Sequence, residues 1–182
     1  AAHAPATAAQ PVSANAAAWT FNPGYSASWM KQIGLTSAIE TQANGGLGFV
    51  IGVVDTGIVA TQMDVAGRVS PLSSCAAVTF KCSNGVLDDN GHGTNTASVA
   101  AGSVTASGAG MSGVAPRATI LAEKVLNAQG SGYDTDVANG ITKAANAGAQ
   151  VISTAVPNSP PTTENTRPAP SAWSPCPFFV MA

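Results

Sequence analysis

Charged side chains are scarce in this chain of 182 residues. Asp, Glu, Lys and Arg make up 9% of it, against about a quarter in ordinary globular proteins, and the formal net charge is −2. So few cations give no basic field for a nucleic acid and no polybasic patch for an anionic membrane. We therefore predict neither kind of partner, and a surface that is polar but uncharged.

Long apolar runs are also absent. The longest clean run covers residues 49–54 and contains Gly52, whereas a membrane-spanning helix needs about 18 apolar residues or more. The first five residues, AAHAP, show neither an initiator Met nor the cationic and apolar regions of a signal peptide. We expect a soluble chain from which a signal peptide has been removed or in which it was never included.

Cysteine is limited to three residues, Cys75, Cys82 and Cys176. The first two lie in a loop rich in Ser, Asn and Gly, at a spacing that closes a small ring readily if the compartment is oxidising. We predict a disulfide between Cys75 and Cys82, with two free thiols as the alternative. Cys176 is left without a predicted partner.

Composition divides the chain into three parts. Residues 1–18 lack large apolar side chains and are expected to form a flexible tail, since they cannot repay the entropy of ordering. Residues 19–156 form one predicted domain. Residues 157–182 contain seven prolines, which neither a helix nor a central strand tolerates.

The predicted domain alternates strands and helices. The apolar run at 49–54 ends at Asp55 and is typical of a strand buried on both faces. Further strands are predicted at 119–126 and 150–156, and helices at 36–42, at 92–102 and from Asp134 or Thr135 to 147. This rhythm indicates an α/β fold with a parallel sheet, in which ligands bind at the carboxyl ends of the strands.

Three segments in series resemble the subtilisin-like serine proteases. They are VVDTGI at 53–58, NGHGT at 90–94, and GVAP at 113–116 followed by KVL at 124–126. The resemblance covers residues 19–156. It implies a three-layer α/β fold with a mostly parallel sheet flanked by helices, here in an incomplete, amino-terminal form. It also implies an extracellular, monomeric serine endopeptidase that acts on polypeptides.

The residues themselves point to a catalytic pair. A serine hydrolase needs an imidazole as general base and a carboxylate that orients it. Only two histidines are present, and His3 lies in the tail, so we predict His92 as the base and Asp55 as its orienting acid. Asp before His is the subtilisin order. Taken singly, each residue also has a non-catalytic interpretation. Asp55 is then a cap of the following turn, and His92 is a surface residue.

Metal-dependent and aspartic-protease chemistry are both disfavoured. Asp88 and Asp89 lie near His92 but are too few to fix a metal, and we predict that they cap the following helix. Asp64 resembles a family position that helps to bind calcium, but it is a single carboxylate, so we claim no metal site and no cofactor, with structural calcium as the open alternative. An aspartic protease needs two Asp-Thr-Gly carboxylates, and this chain has one.

The resemblance also assigns a substrate-binding segment. Gly130, Ser131 and Gly132 match the strand that lines the substrate, where missing side chains let a peptide add as an extra strand. An ordinary glycine turn is the alternative reading.

Other positions depart from the family. Asn95 stands where a second His is usual, and Ala155-Val156-Pro157 replaces the Ser-Leu-Gly of the specificity-pocket wall. The Gly-Thr-Ser-Met-Ala segment of the nucleophile and the oxyanion Asn are missing.

We predict that the late serines do not supply the nucleophile. Ser171 and Ser174 are flanked by Pro170 and Pro175, where a helix should begin after the nucleophile. The change after Val156 fits a misread, frame-shifted or engineered end. We predict an enzyme by family that is inactive as this chain alone. The alternative is a truncated or pseudoprotease chain that at most binds peptides.

Overall fold

The computed structural model describes residues 21–22, 27–105, 108, 110–155 and 179–181, the last three by their backbone only. The predicted tail at 1–18, Cys176 and the two late serines lie outside the described residues. The described helices and strands follow the α/β rhythm of the sequence. They are α1 (Ala27–Gln32), α2 (Ser37–Ala43), a 3₁₀ turn (Asn44–Gly46), β1 (Val50–Asp55), β2 (Ser74–Cys75), α3 (His92–Ala101), β3 (Thr119–Lys124), α4 (Asp134–Asn146), β4 (Val151–Thr154) and β5 (Phe179–Met181).

One sheet organises the described domain, with strand order β2-β3-β1-β4-β5. The first four strands are parallel, and β5 is antiparallel to β4. In the centre, Asp55 pairs in register with Lys124, so the carboxyl ends of β1 and β3 meet at one edge. The prediction of an α/β fold with a mostly parallel sheet is confirmed.

Helices cover both faces of the sheet, because the buried strands alternate their side chains between two cores. One core contains Val53 and Ile120 with Ala97 and Ala101 of α3. The other contains Val54 and Leu121 with Ala144 of α4. None of the helices in the described part of the chain has the length and hydrophobicity that a bilayer span requires.

The differences from the sequence prediction include a strand end, a strand that was not predicted and a helix cap. The strand expected to reach 126 ends at Lys124, because the N–H groups of Val125 and Leu126 both turn toward the carbonyl of Asp55. The two-residue strand β2 is too short to leave a periodic signal. Helix α4 begins at Asp134 with Tyr133 as its N-cap, and the Tyr133 side chain makes no capping bond.

The disulfide loop follows β2 directly. Cys75 and Cys82 are joined by a disulfide with their Cα atoms 6.2 Å apart. The loop is also fixed to α4, whose Asp136 accepts the N–H groups of Val78 at 2.6 Å and Thr79 at 3.0 Å. Lys143 of α4 donates to the carbonyl of Cys75 at 3.2 Å. Covalent and polar contacts therefore hold the loop against the edge of the sheet.

We expect a thiol titration of the unfolded, unreduced protein to find one reactive thiol, because the bond between Cys75 and Cys82 leaves only Cys176. Reduction before the titration should raise the count to three. The matched control is Cys176→Ser, which should show no reactive thiol without reduction. Three thiols in the unreduced parent protein would contradict the disulfide in solution.

Candidate active site

Asp55 is a buried carboxylate at the carboxyl end of β1, with 1% of its surface exposed. Oδ1 accepts the N–H of Thr56 at 2.6 Å. The Asp55 carbonyl accepts the N–H groups of Val125 at 2.8 Å and Leu126 at 3.2 Å. The strand ladder and the following turn therefore fix both the backbone and the carboxylate of Asp55.

His92 is the first residue of α3 and faces this carboxylate. Its Nδ1 lies 2.8 Å from Oδ1 and 2.9 Å from Oδ2 of Asp55. The His92 side chain is 58% exposed, so one edge of the ring is bound while the other is open to solvent. A carboxylate only accepts hydrogen bonds, so Nδ1 carries a proton and Nε2 is left as the basic nitrogen. The arrangement can therefore take up a proton at Nε2 beside a fixed anion.

Asp88 holds the start of α3 in place. Its Oδ1 accepts the N–H of Gly91 at 2.8 Å, and its Oδ2 accepts the N–H of Thr94 at 2.8 Å and the Thr94 hydroxyl at 2.6 Å. Burial alone would raise the pKa of Asp88, but the hydrogen bonds from Thr94, Gly91 and Thr56 outweigh it and lower the pKa to about 2. The predicted capping role therefore fits Asp88.

Thr56 links this cap to the strand that carries Asp55. Its hydroxyl donates to Asp88 Oδ1 at 2.8 Å and accepts the N–H of Gly93 at 2.8 Å. The contact needs glycine at 93, since a Cβ there would lie 2.3 Å from the carbonyl oxygen of Gly57 and 3.1 Å from the Thr56 hydroxyl. The absence of a side chain at Gly93 lets α3 approach the Asp55 turn closely.

Asp89 does not cap the helix, contrary to the sequence prediction. Its Oδ1 pairs instead with the ammonium of Lys124 at 2.7 Å. Lys124 also donates to the carbonyl of Thr56. The neighbouring Asn90 takes part in the cap, because its Oδ1 accepts the N–H of His92 at 3.2 Å.

The segment from Gly130 to Gly132 lies beside the His92 loop. Asn90 Nδ2 donates to the carbonyl of Ala128 at 2.9 Å, and Gly130 N donates to the carbonyl of Asn127 at 2.9 Å in a turn. A Cβ on Gly132 would meet the carbonyl oxygen of Val125 at 2.5 Å, so the fold itself requires glycine at that position. The role of this segment in substrate binding stays a prediction.

Asp64 is the residue that resembles a calcium-binding position of the family. Its Oδ1 is buried without a hydrogen-bond partner, and its carbonyl accepts a hydrogen bond from Arg68. Calcium takes six to eight oxygen ligands. In the part of the chain that the structure describes, no three His, Cys, Asp or Glu side chains come together around a possible ion. The absence of a metal stays a prediction.

Two residues at this edge had no role in the sequence analysis. Thr56 lies inside the VVDTGI segment and Lys124 inside the KVL segment. Their positions were noted for the resemblance alone. The sequence signal available for Lys124 was a charged residue at the end of a predicted apolar strand, a position at which burial is expected.

Comparisons of sequence and structure find related proteins. The sequence model of the Subtilase family matches residues 46–182. The range runs past Val156, where the resemblance read from the motifs ended, so that boundary stays a prediction. Among solved structures, sphericase superimposes with a TM-score of 0.53 at 35% identity, covering 65% of this chain and 40% of its own.

Curated relatives include two bacterial proteins. Thermitase of Thermoactinomyces vulgaris is 46% identical over 108 residues, which cover 59% of this chain and 37% of the relative. The thermophilic serine proteinase of Bacillus sp. (strain AK1) is 35% identical over 138 residues, 75% of this chain and 33% of the relative. The chain therefore spans well under half the length of these relatives.

We expect Asp88→Asn to lower the free energy of unfolding by about 2 kcal/mol near pH 6, because the folded pKa of about 2 lies below the ordinary value of 3.8. As the pH falls, the unfolded chain binds a proton first. The contribution is therefore complete above about pH 5 and is lost toward pH 2.

Urea unfolding of both proteins at pH 6 and pH 3 measures this effect. At pH 3 the difference between parent and Asp88→Asn should shrink by about half. Asp134→Asn, at an exposed carboxylate in the first turn of α4, is the control and should change stability little. An Asp88→Asn difference that does not vary with pH would contradict the assigned pKa.

Proposed function

Because this chain belongs to the subtilase family, we propose that it carries the acid and the base of a secreted serine endopeptidase. The observation that carries this proposal is the contact between Asp55 and His92 Nδ1 at 2.8 Å. The names of the relatives, thermitase and a serine proteinase, support peptide-bond hydrolysis as the reaction. Polypeptides are the proposed substrates, and we propose that the protein acts as a monomer outside the cell.

Asp55 orients the base in this mechanism. Its carboxylate keeps the proton on Nδ1 of His92 and stabilises the imidazolium that forms when Nε2 takes the proton of a serine hydroxyl. The serine oxygen then attacks the peptide carbonyl, and Nε2 returns the proton to the leaving amine. Water hydrolyses the acyl-enzyme with the same base.

The nucleophile is the part of the triad that this sequence does not supply. No Gly-Thr-Ser-Met-Ala segment occurs in the 182 residues. This observation favours a second candidate, a non-catalytic chain that at most binds peptides near Gly130 to Gly132. The two candidates agree on Asp55 and His92 and differ on whether a nucleophilic serine completes the triad.

We expect the purified chain to show no stoichiometric labelling by a fluorophosphonate, a reagent that reacts with activated serines, and no appreciable cleavage of a peptide substrate. The base can act only on a hydroxyl held within about 3 Å of it. Active thermitase treated in parallel is the positive control. Labelling that His92→Ala abolishes would instead show that a serine of this chain, such as Ser171 or Ser174, is the nucleophile.

A chimera tests the acid and the base directly. We expect residues 1–155 joined to the carboxyl-terminal part of an active subtilase chosen to contain the Gly-Thr-Ser-Met-Ala segment to cleave peptides. In subtilisin, loss of the triad His costs about 2 × 10⁶ in kcat and loss of the Asp about 3 × 10⁴. His92→Ala and Asp55→Ala should therefore abolish the activity of the chimera almost completely.

His3→Ala is the matched control in the chimera and should leave kcat unchanged. A folded, active chimera that keeps its rate after His92→Ala would overturn the assignment of the base. Rates are measured on one peptide substrate with equal amounts of folded protein, as judged by far-UV circular dichroism.

A further inference from the structure

Lys124 has no part in the mechanism above, yet its ammonium lies between the two segments that carry the acid and the base. The side chain is 3% exposed and pairs with Asp89 Oδ1 at 2.7 Å. It also donates to the carbonyl of Thr56. Thr56 follows Asp55 directly, and Asp89 precedes His92 by three residues, so one charged group contacts both segments.

A buried ammonium is costly unless it is paired and hydrogen-bonded, with a penalty of several kcal/mol. The Asp89 side chain is 46% exposed, so the pair is only half desolvated and is weak evidence for stability. An apolar residue at 124 would fill the same space without this penalty. Such pairs can instead fix one arrangement of the groups around them.

The backbone of Lys124 is held from both sides. Its carbonyl accepts the N–H groups of Ala76 at 2.9 Å and Ala77 at 3.1 Å, and it pairs in register with Asp55. The next N–H, that of Val125, donates to the Asp55 carbonyl at 2.8 Å. The Lys124 side chain therefore extends from a backbone that is rigid relative to Asp55.

The His92 ring depends on neighbouring groups for its orientation. Its ring is 58% exposed, so packing alone does not orient it. The ring direction depends on the bond to Asp55 and on the loop that leads into α3. Asp88 ties the helix start to the Thr56 hydroxyl, and Lys124 ties Asp89 of the same loop to the Thr56 carbonyl.

We propose that Lys124, acting through Asp89, is a positioning residue that holds the His92 loop in the register at which the imidazole meets Asp55. The proposal rests on the proposed function, since it is the base of a triad that requires this orientation. It predicts that loss of the ammonium loosens the imidazole contact more than it loosens the fold.

The test follows the Nδ1–H proton of His92 by NMR in the chain as it is. His3→Ala leaves His92 as the one histidine, so every imidazole signal is assigned. A proton held between Nδ1 and a carboxylate should appear at low field and exchange slowly with water. Lys124→Met, which keeps the length of the stem, should speed its exchange about tenfold, the effect expected for losing a hydrogen bond to a charged group.

Two further variants separate positioning from general loosening. Asp89→Asn leaves the lysine in place and should speed the exchange about threefold. Lys143→Met is the matched control, because the Lys143 ammonium bonds Ser74 Oγ at 2.9 Å and the Cys75 carbonyl rather than Asp89 or Thr56. It should leave imidazole exchange within about twofold of the parent. Backbone amide exchange in β1 and α3 should stay unchanged in all three variants.

Each outcome decides the proposal. Imidazole exchange that is unchanged in Lys124→Met overturns it, as does equal acceleration in Lys143→Met or of the backbone amides. If Lys124→Met does not fold, Asp89→Asn decides, and an unchanged rate there overturns the proposal. A parent with no protected imidazole proton overturns the Asp55–His92 pair and the proposed function as well, which distinguishes that failure from the others.

Discussion

The burial of the Asp55 carboxylate is the constraint on which the rest of this edge of the sheet depends. An anion with 1% exposure at the end of a strand is costly unless it receives hydrogen bonds. The structure meets this demand with the N–H of Thr56 and the Nδ1–H of His92. The buried carboxylate needs hydrogen-bond donors, and the imidazole of His92 is oriented as one of the two.

The same constraint explains why small and polar residues surround the pair. The N–H of Gly93 reaches the Thr56 hydroxyl only because position 93 has no side chain. Asp88 can satisfy several donors at once because its two oxygens face the helix start and the Thr56 turn. Asp88 and Lys124, which both act on the His92 loop, are bonded to Thr56 in the turn after β1.

Much of this architecture could be predicted from the sequence, because apolar runs and motif order depend on local pattern. β1, α3 and the Asp55–His92 pairing are of this kind. The roles of Asp88 and Asp89 were not separable, since two adjacent carboxylates look alike until the chain turns one toward Thr94 and the other toward Lys124. β2 was missed because a strand of two residues has no periodicity.

Because Asp55 pairs with Lys124, the site can form only after β3 has paired with β1. The two residues lie 69 positions apart, and the parallel ladder between β1 and β3 needs both strands. During synthesis the chain emerges from its amino-terminal end, so Asp55 and His92 both leave the ribosome before β3 has emerged to order them. Loop closure of this length makes parallel pairing slow. Until residue 124 arrives, the unpaired edge of β1 is open to other chains, and a chaperone that covers it would shorten that exposure.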